Sequence, residues 1–313
     1  MQIVFAGSPL FALPTLERLA GAGHDIRAVV TQPDRPTGRR QQLEAPPVKE
    51  AARKLGLAVF QPEKIKGEDS RAFFGEIQPE AVVVVGYGQI LPPWLLELPR
   101  FGCINLHASL LPAYRGAAPI QWAVVRGESK TGVTTMQMDP GLDTGPVLLQ
   151  WETGIGAEET SVSLGKRLSV AGADLMVETL QGLQNSTLIA RPQDNSLASR
   201  APLLKKDDGR IDWSLSAQEI FNRVRGLLPW PGAHTVFRGK KLQVWRAKPN
   251  SAESADSAVS CGQLLAEQDR VSVACGGGTS LQLLELQMEG KRRVVAADFI
   301  HGARPQAGEL LFS

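Results

Sequence analysis

The chain has 313 residues, of which 43% are hydrophobic and 21% charged, which excludes a disordered, collagen-like or disulfide-scaffold protein and leaves length for two domains. The formal charge of +2 is too small for a polycation as a whole, but it is unevenly spread: residues 1–190 carry 17 Lys+Arg against 19 Asp+Glu, and residues 191–313 carry 17 against 13. An asymmetry of this kind suits one domain that handles a small molecule and another that meets a polyanion, and chance produces it as well.

The first 150 residues alternate short β-branched runs with helical stretches, the pattern of a sheet covered by helices on both faces. Strands are expected at 3–6, 26–31, 58–60, 81–85, 103–107 and 131–138, and helices at 10–22, 48–55, 70–78 and 118–126. Val82-Val83-Val84-Val85 followed by Gly86 reads as a central parallel strand buried on both faces. The fold class expected is α/β, a Rossmann-like doubly wound parallel sheet. A further helix is expected over 160–180. Residues 185–204 then become polar and lose period, with Pro192 and Pro202 interrupting them, as a linker would. Ser216-Ala217-Gln218-Glu219 has the spacing of a capping box for a short helix through about Arg225. Strand-like segments at 242–247, 271–274 and 281–286 lie between Gly- and Ser-rich turns and are expected to close into a small β-barrel. The domains are therefore expected at 1–185 and 207–313, joined by 186–206.

Cys103, Cys261 and Cys275 are widely separated and form no C-x-x-C pair, so neither a disulfide framework nor a zinc ribbon is indicated, and a reducing cytosol is the compartment expected. His24, His107, His234 and His301 show no metal-ligand spacing, so no metal is expected. No apolar run approaches the ~20 residues of a membrane span, and no signal series opens the chain. Gly7-Ser8-Pro9 stands where a dinucleotide site would place G-x-G-x-x-G and supplies one of the three glycines, which disfavours a nicotinamide oxidoreductase.

The richest stretch runs from Asn105 to Pro119. Asn105 and His107 are two apart at a predicted strand end, so both side chains point to one face, where an amide and an imidazole can converge on a ligand crevice. The alternative is an Asn that caps the following loop and a His that fills the core. Asp139-Pro140-Gly141-Leu142-Asp143-Thr144-Gly145-Pro146 forms a second tight loop with an acid at its centre, and taken alone Asp143 reads as a turn residue. The loop at 33–47 is long for an α/β connection and carries Arg35, Arg39 and Arg40 among prolines.

Ser109-Leu110-Leu111-Pro112 continuing through Tyr114-Arg115-Gly116, preceded by Asn105-x-His107 and followed by Asp143-Thr144-Gly145, resembles the signature of the folate-dependent formyltransferases. Thr31-Gln32-Pro33-Asp34-Arg35-Pro36, Ala117-Ala118-Pro119-Ile120-Gln121, Gln137-Met138-Asp139, Ile211-Asp212-Trp213-Ser214 and Pro229-Trp230-Pro231 extend the resemblance, across nearly the whole chain, to the branch that formylates methionyl-tRNA. The resemblance implies a Rossmann-like catalytic domain, a linker and a C-terminal OB-like barrel that meets tRNA. It implies 10-formyltetrahydrofolate as co-substrate, initiator methionyl-tRNA as partner, no metal, and a monomer in the cytoplasm.

By the same resemblance Asn105 donates to the formyl oxygen as negative charge develops there, a type of contact whose removal costs about 2.7–4 kcal/mol of transition-state stabilisation. His107 exchanges the amine proton. Asp143 either orients that imidazole or holds a relaying water, and the sequence leaves both open. Ser109, Leu110, Leu111 and Pro112 are expected along the folate, with Gly88, Ile90 and Leu91 offering backbone to its ring. Arg39, Arg40 and Lys206 are expected to meet tRNA. The 33–47 loop departs from the usual Arg-Gly-Lys-Lys pattern, with Arg40 in place of glycine and Gln41 and Gln42 in place of basic residues, and Leu203 stands where Lys is frequent. Lys205, Arg210, Lys240, Lys241, Arg246 and Lys248 add charge that phosphates would attract, although basic residues also protect strand edges. Two rival functions share features of the sequence: a formyltransferase acting on a sugar nucleotide or other small amine, and a noncatalytic RNA-binding module.

Overall fold

A computed structural model describes residues 1–37, 42–250, 259–267 and 270–312. It divides into two compact units: residues 1–116, 130–154 and 165–201, and residues 117–129, 155–164 and 202–313. The division is not a single cut after residue 185. Residues 117–129 and 155–164, expected within the catalytic domain, fold with the C-terminal residues.

In the first unit β1 (Gln2–Gly7) leads through α1 (Leu13–Gly21) to β2 (Asp25–Val30), a short hairpin of β3 (Arg35–Thr37) and β4 (Gln42–Glu44), α2 (Pro47–Lys54) and β5 (Val59–Phe60). Then follow α3 (Glu68–Ile77), β6 (Ala81–Val85), α4 (Pro93–Glu97) and β7 (Cys103–His107). After α5 (Pro119–Val125) of the second unit come β8 (Lys130–Gln137), β9 (Val147–Gly154) and α6 (Ser161–Gln184). The main sheet has the order β5-β2-β1-β6-β7-β8-β9. Its first five strands pair in parallel, whereas β8 is antiparallel to β7 and to β9, so the expected parallel sheet ends in an antiparallel edge. The connection between β8 and β9 is too short for a helical crossover and returns the chain antiparallel.

All five residues of β6 are buried, as their unbroken β-branched run requires of a strand covered on both faces. The chain builds outward from β1 to β2 and β5, then crosses to β6 on the other side. The strand order thus reverses between β1 and β6, where an open α/β sheet leaves a crevice outside its carboxyl ends. At that point Gly86 has φ +59°, and a Cβ on it would lie 2.8 Å from Pro9 Cγ, so only glycine lets the β6 turn lie against the β1 turn.

Residues 186–206, expected to link two domains, instead run along the first unit as far as Ala201. Arg191 pairs with Val147 at the start of β9, and Arg115 exchanges backbone hydrogen bonds with Ser199 and Ala201. The polar composition of this strap reflects hydrogen bonding to the loops it crosses.

In the second unit α7 (Ala217–Gly226) precedes β10 (His234–Phe237), β11 (Lys240–Pro249), β12 (Leu264–Glu267), β13 (Arg270–Ala274), β14 (Ser280–Met288), β15 (Val294–Val295) and α8 (Ala296–Ala303). The antiparallel sheet has the order β10-β11-β14-β13-β12, with β15 paired to β14. Its two edges are joined by the C-terminal residues: Phe312 exchanges backbone hydrogen bonds with Val236, while Glu309 and Leu311 bond to Leu264 and Gly262. The barrel expected from the strand pattern is closed in this way, around a core that includes Val244, Val271, Leu283 and, from α7, Ile220 and Val224. The capping box is present: Ser216 Oγ accepts from Glu219 N at 3.3 Å, and Ser216 N donates to Glu219 Oε2 at 2.9 Å. Ser216→Ala removes one of these contacts and is expected to lower the stability of this unit by about 1 kcal/mol in chemical denaturation, as loss of an N-cap does.

Candidate active site

Strand β7 carries the site because its two neighbours hold it in register. Val84 of β6 and Met136 of β8 flank Asn105, and Thr134 of β8 lies opposite His107. The alternation of the strand turns Asn105 and His107 to one face, as expected. The Asn105 side chain is half-buried and makes no hydrogen bond to any described residue, so its amide is available to a ligand. His107 is 6% exposed and is held on both sides.

His107 Nε2 lies 2.9 Å from the carbonyl oxygen of Tyr114. A carbonyl only accepts, so Nε2 carries a hydrogen, and in the neutral ring Nδ1 is bare. Nδ1 lies 3.7 Å from Asp143 Oδ2, beyond hydrogen-bond length and well within Coulomb range. The same Oδ2 accepts the backbone N–H of Gly116 at 2.8 Å. The structure therefore brings Asn105, His107 and Asp143 together from one strand and one loop.

Backbone strain accompanies this arrangement. Tyr114 has φ 61° and Asp143 has φ 53°, left-handed values that non-glycine residues adopt uncommonly. Gly116 has φ +125°, and a Cβ there would lie 2.5 Å from the carbonyl oxygen of Ala201, so only glycine fits beside the strap.

The Ser109 to Pro112 turn is fixed from below. Thr134 Oγ1 donates to Ser109 O at 2.6 Å, while Leu111 N and Gln150 Nε2 both donate to Thr134 Oγ1 at 3.1 Å. Ser109 Oγ donates to Ala113 O at 2.6 Å. Leu111 is buried with Met136 and Val147, so its side chain serves the core, whereas Leu110 and Pro112 are half-buried. In the turn after β6, Gly88 has φ +84°, Ile90 is 88% exposed and Leu91 is buried. Three glutamine side chains join this turn to its neighbours: Gln32 Nε2 donates to Tyr87 O at 2.9 Å, Gln61 Nε2 to Gln32 O at 2.8 Å, and Gln89 Oε1 accepts from Ile65 N at 2.7 Å.

Burial pushes the Cys103 thiol and the Tyr87 phenol each up to about 12, so both stay protonated at neutral pH and neither supplies a nucleophile. Asp34 is held below the usual carboxylate range, first by the Gln61 amide and then by Lys49, whose Nζ lies 2.7 Å away. Among the described residues no group of three or more His, Cys, Asp or Glu side chains is arranged to hold a metal, and no helix is long and apolar enough to cross a membrane.

Arg39 and Arg40 lie outside the described residues. Lys206 is exposed in the second unit, at the start of a single 3-10 turn. Arg246 is paired with Glu285 at 3.0 Å, and Arg293 contacts the same carboxylate. Two residues that sequence reading passed over bond to the loops beside Asn105, His107 and Asp143. Thr134 was legible only as a strand residue. Gln193 falls in an aperiodic segment 50 residues from Asp143, and no local pattern marks it.

The formyl transferase family model matches residues 1–180, and the model of the formyl transferase C-terminal domain matches residues 203–304. The chain belongs to the formyl transferase family. Among formyl transferases it is 52% identical over 311 residues to the methionyl-tRNA formyltransferase of Solibacter usitatus, covering 99% of this chain and 98% of that protein. It is 53% identical over 312 residues to the methionyl-tRNA formyltransferase of Koribacter versatilis, with the same two coverages. The structure of the sugar 3N-formyl transferase WlaRD, determined in the presence of dTDP and 5-N-formyl-THF, superposes with a TM-score of 0.68 at 16% identity over 93% of this chain and 99% of that one, and shares its fold.

Because Thr134 is fully buried and bonds three partners, Thr134→Val leaves the Leu111 N–H unsatisfied in the formyl transferase core. The expected loss is about 1–3 kcal/mol in denaturant unfolding. Thr134→Ser, which keeps the hydroxyl, is expected to retain most of it.

Proposed function

We propose that this chain transfers the formyl group of 10-formyltetrahydrofolate to the α-amino group of initiator methionyl-tRNA. The observation that carries the reading is identity above 50% along nearly the whole length of relatives named methionyl-tRNA formyltransferases, covering both units. The site supplies the chemistry such a reaction needs.

The folate co-substrate presents a formyl carbon whose bond to nitrogen is broken as the new amide forms. The crevice at the strand-order reversal, with its glycine turn at Gly86 to Gly88 and the exposed Ile90, fits a flat ring approached by backbone. Leu110 and Pro112 would extend that wall, and Ser109 and Leu111 act through their backbone. The unpartnered Asn105 amide donates to the formyl oxygen as it gains negative charge. His107 accepts the amine proton at Nδ1, and the Asp143 carboxylate places its negative charge beside that nitrogen. The Nδ1 to Oδ2 separation of 3.7 Å supports action of Asp143 on the imidazole through its charge. The proton then serves the departing folate nitrogen.

We assign tRNA contacts to Arg39 and Arg40 of the 33–47 loop and to Lys206. The reading makes the chain a cytoplasmic monomer with two dissolved substrates and no metal. A sugar nucleotide or other small amine is the alternative acceptor, supported by likeness of fold alone, as with WlaRD at 16% identity.

Two assays test the reading. Charged initiator tRNA should be formylated in the presence of 10-formyltetrahydrofolate, and amino-sugar nucleotides should not; the reverse result would make the acceptor a sugar. Asn105→Ala is expected to lower kcat by about 10²–10³-fold and His107→Ala by about 10²–10⁴-fold, with tRNA affinity in a filter-binding assay unchanged. Near-normal turnover in either variant removes that residue from the chemistry.

A further inference from the structure

The Asp143 loop and the Tyr114 to Gly116 turn face each other without a covalent tie between them, yet the trio works only if their separation is held. One side chain bonds to both. Gln193, half-buried on the strap, accepts two hydrogen bonds from the Arg115 guanidinium at its Oε1, from Nε at 3.0 Å and from Nη2 at 2.7 Å. Its Nε2 donates to the carbonyl oxygens of Asp143 at 2.9 Å and of Gly145 at 2.7 Å. The amide orientation is unambiguous, since the guanidinium only donates and the carbonyls only accept. Both lone pairs and both hydrogens are used, and the strap itself is pinned at each end: Arg191 to Val147, and Ser199 to Arg115 and, through its Oγ, to Tyr114 N at 2.9 Å.

We infer that Gln193 is a positioning residue for formyl transfer, setting the distance between the Asp143 carboxylate and the His107 imidazole by clamping the Asp143 loop to Arg115. Gln193 itself touches neither reacting group. It acts on the backbone of Asp143, whose left-handed conformation has to be maintained from outside, and on the residue next to Gly116, whose N–H holds the carboxylate. A catalytic group displaced by about 1 Å loses up to ~10²-fold in rate. The inference rests on the proposed formyl transfer.

The test is steady-state formylation of charged initiator tRNA by the full chain and by Gln193→Met, Gln193→Glu, Asp143→Asn and Gln193→Met combined with Asp143→Asn, with thermal melting of each. Gln193→Met keeps the length and removes all four hydrogen bonds. Gln193→Glu keeps the acceptor for Arg115 and sets a carboxylate oxygen against the Asp143 and Gly145 carbonyls. Both are expected to lower kcat by about 10–100-fold while each substrate's KM changes little. In the Asp143→Asn background Gln193→Met should add almost nothing, because residues that act as a unit are non-additive. Wild-type kcat in Gln193→Glu would reduce Gln193 to an anchor for Arg115 and overturn the inference. So would the full additional factor in the double variant, or a loss of rate that only tracks melting temperature. An active wild-type chain with unaffected variants defeats this inference alone, whereas a wild-type chain inactive on tRNA defeats the functional reading and the inference with it.

Discussion

The imidazole of His107 is held by a carbonyl that can only accept, and from that contact follows which ring nitrogen is left bare in the neutral ring. With Nε2–H bonded to Tyr114 O, Nδ1 is the nitrogen without a hydrogen, and it is the one that faces Asp143. The rest of the site serves this geometry. Asn105 reaches the same face because it lies two residues earlier on a strand whose register is set by β6 and β8, and its amide remains free for an oxygen that gains charge. A buried, tautomer-fixed imidazole beside a free amide and a carboxylate suits transfer of a carbonyl group to an amine, in which charge and proton move on opposite sides of one carbon.

That geometry is strained. Tyr114 and Asp143 both occupy the left-handed region, where each non-glycine residue costs about 1–3 kcal/mol. Hydrogen bonds that reach in from elsewhere offset it: Thr134 beneath the Ser109 turn, Ser199 behind Tyr114, Gln193 beneath Asp143. The glycines at 86 and 116 stand where a second backbone segment comes within contact of the turn. The polar network at the crevice wall, from Ser8 and Thr31 through Gln32 to Gln89, ties the turns after β1, β2 and β6 to one another.

Much of this was legible in the sequence where the cause is local. The Val82 to Val85 run, the two-residue spacing of Asn105 and His107 and the Ser216 capping box each express a short-range rule, and each is found where expected. The family motifs added roles that spacing alone left open: Asp143 by itself reads as a turn residue. What stayed illegible depends on contacts distant in sequence. The strap at 191–201 has no period because its partners are Val147 and Arg115, and polar residues without period look like a linker. The barrel is closed by residues 309–312 bridging two edge strands, a pairing no local pattern encodes. The grouping of 117–129 with the C-terminal unit is likewise a matter of packing, with Val125 lying against Gly226 of α7.

The central claim, that His107 bears its hydrogen at Nε2 and presents a bare Nδ1 to Asp143, is tested most directly by the nitrogen-15 chemical shifts of the His107 ring in the intact chain. The account predicts the shifts of a protonated Nε2 and an unprotonated Nδ1 in the neutral ring. A neutral ring protonated at Nδ1 with a bare Nε2 would contradict it.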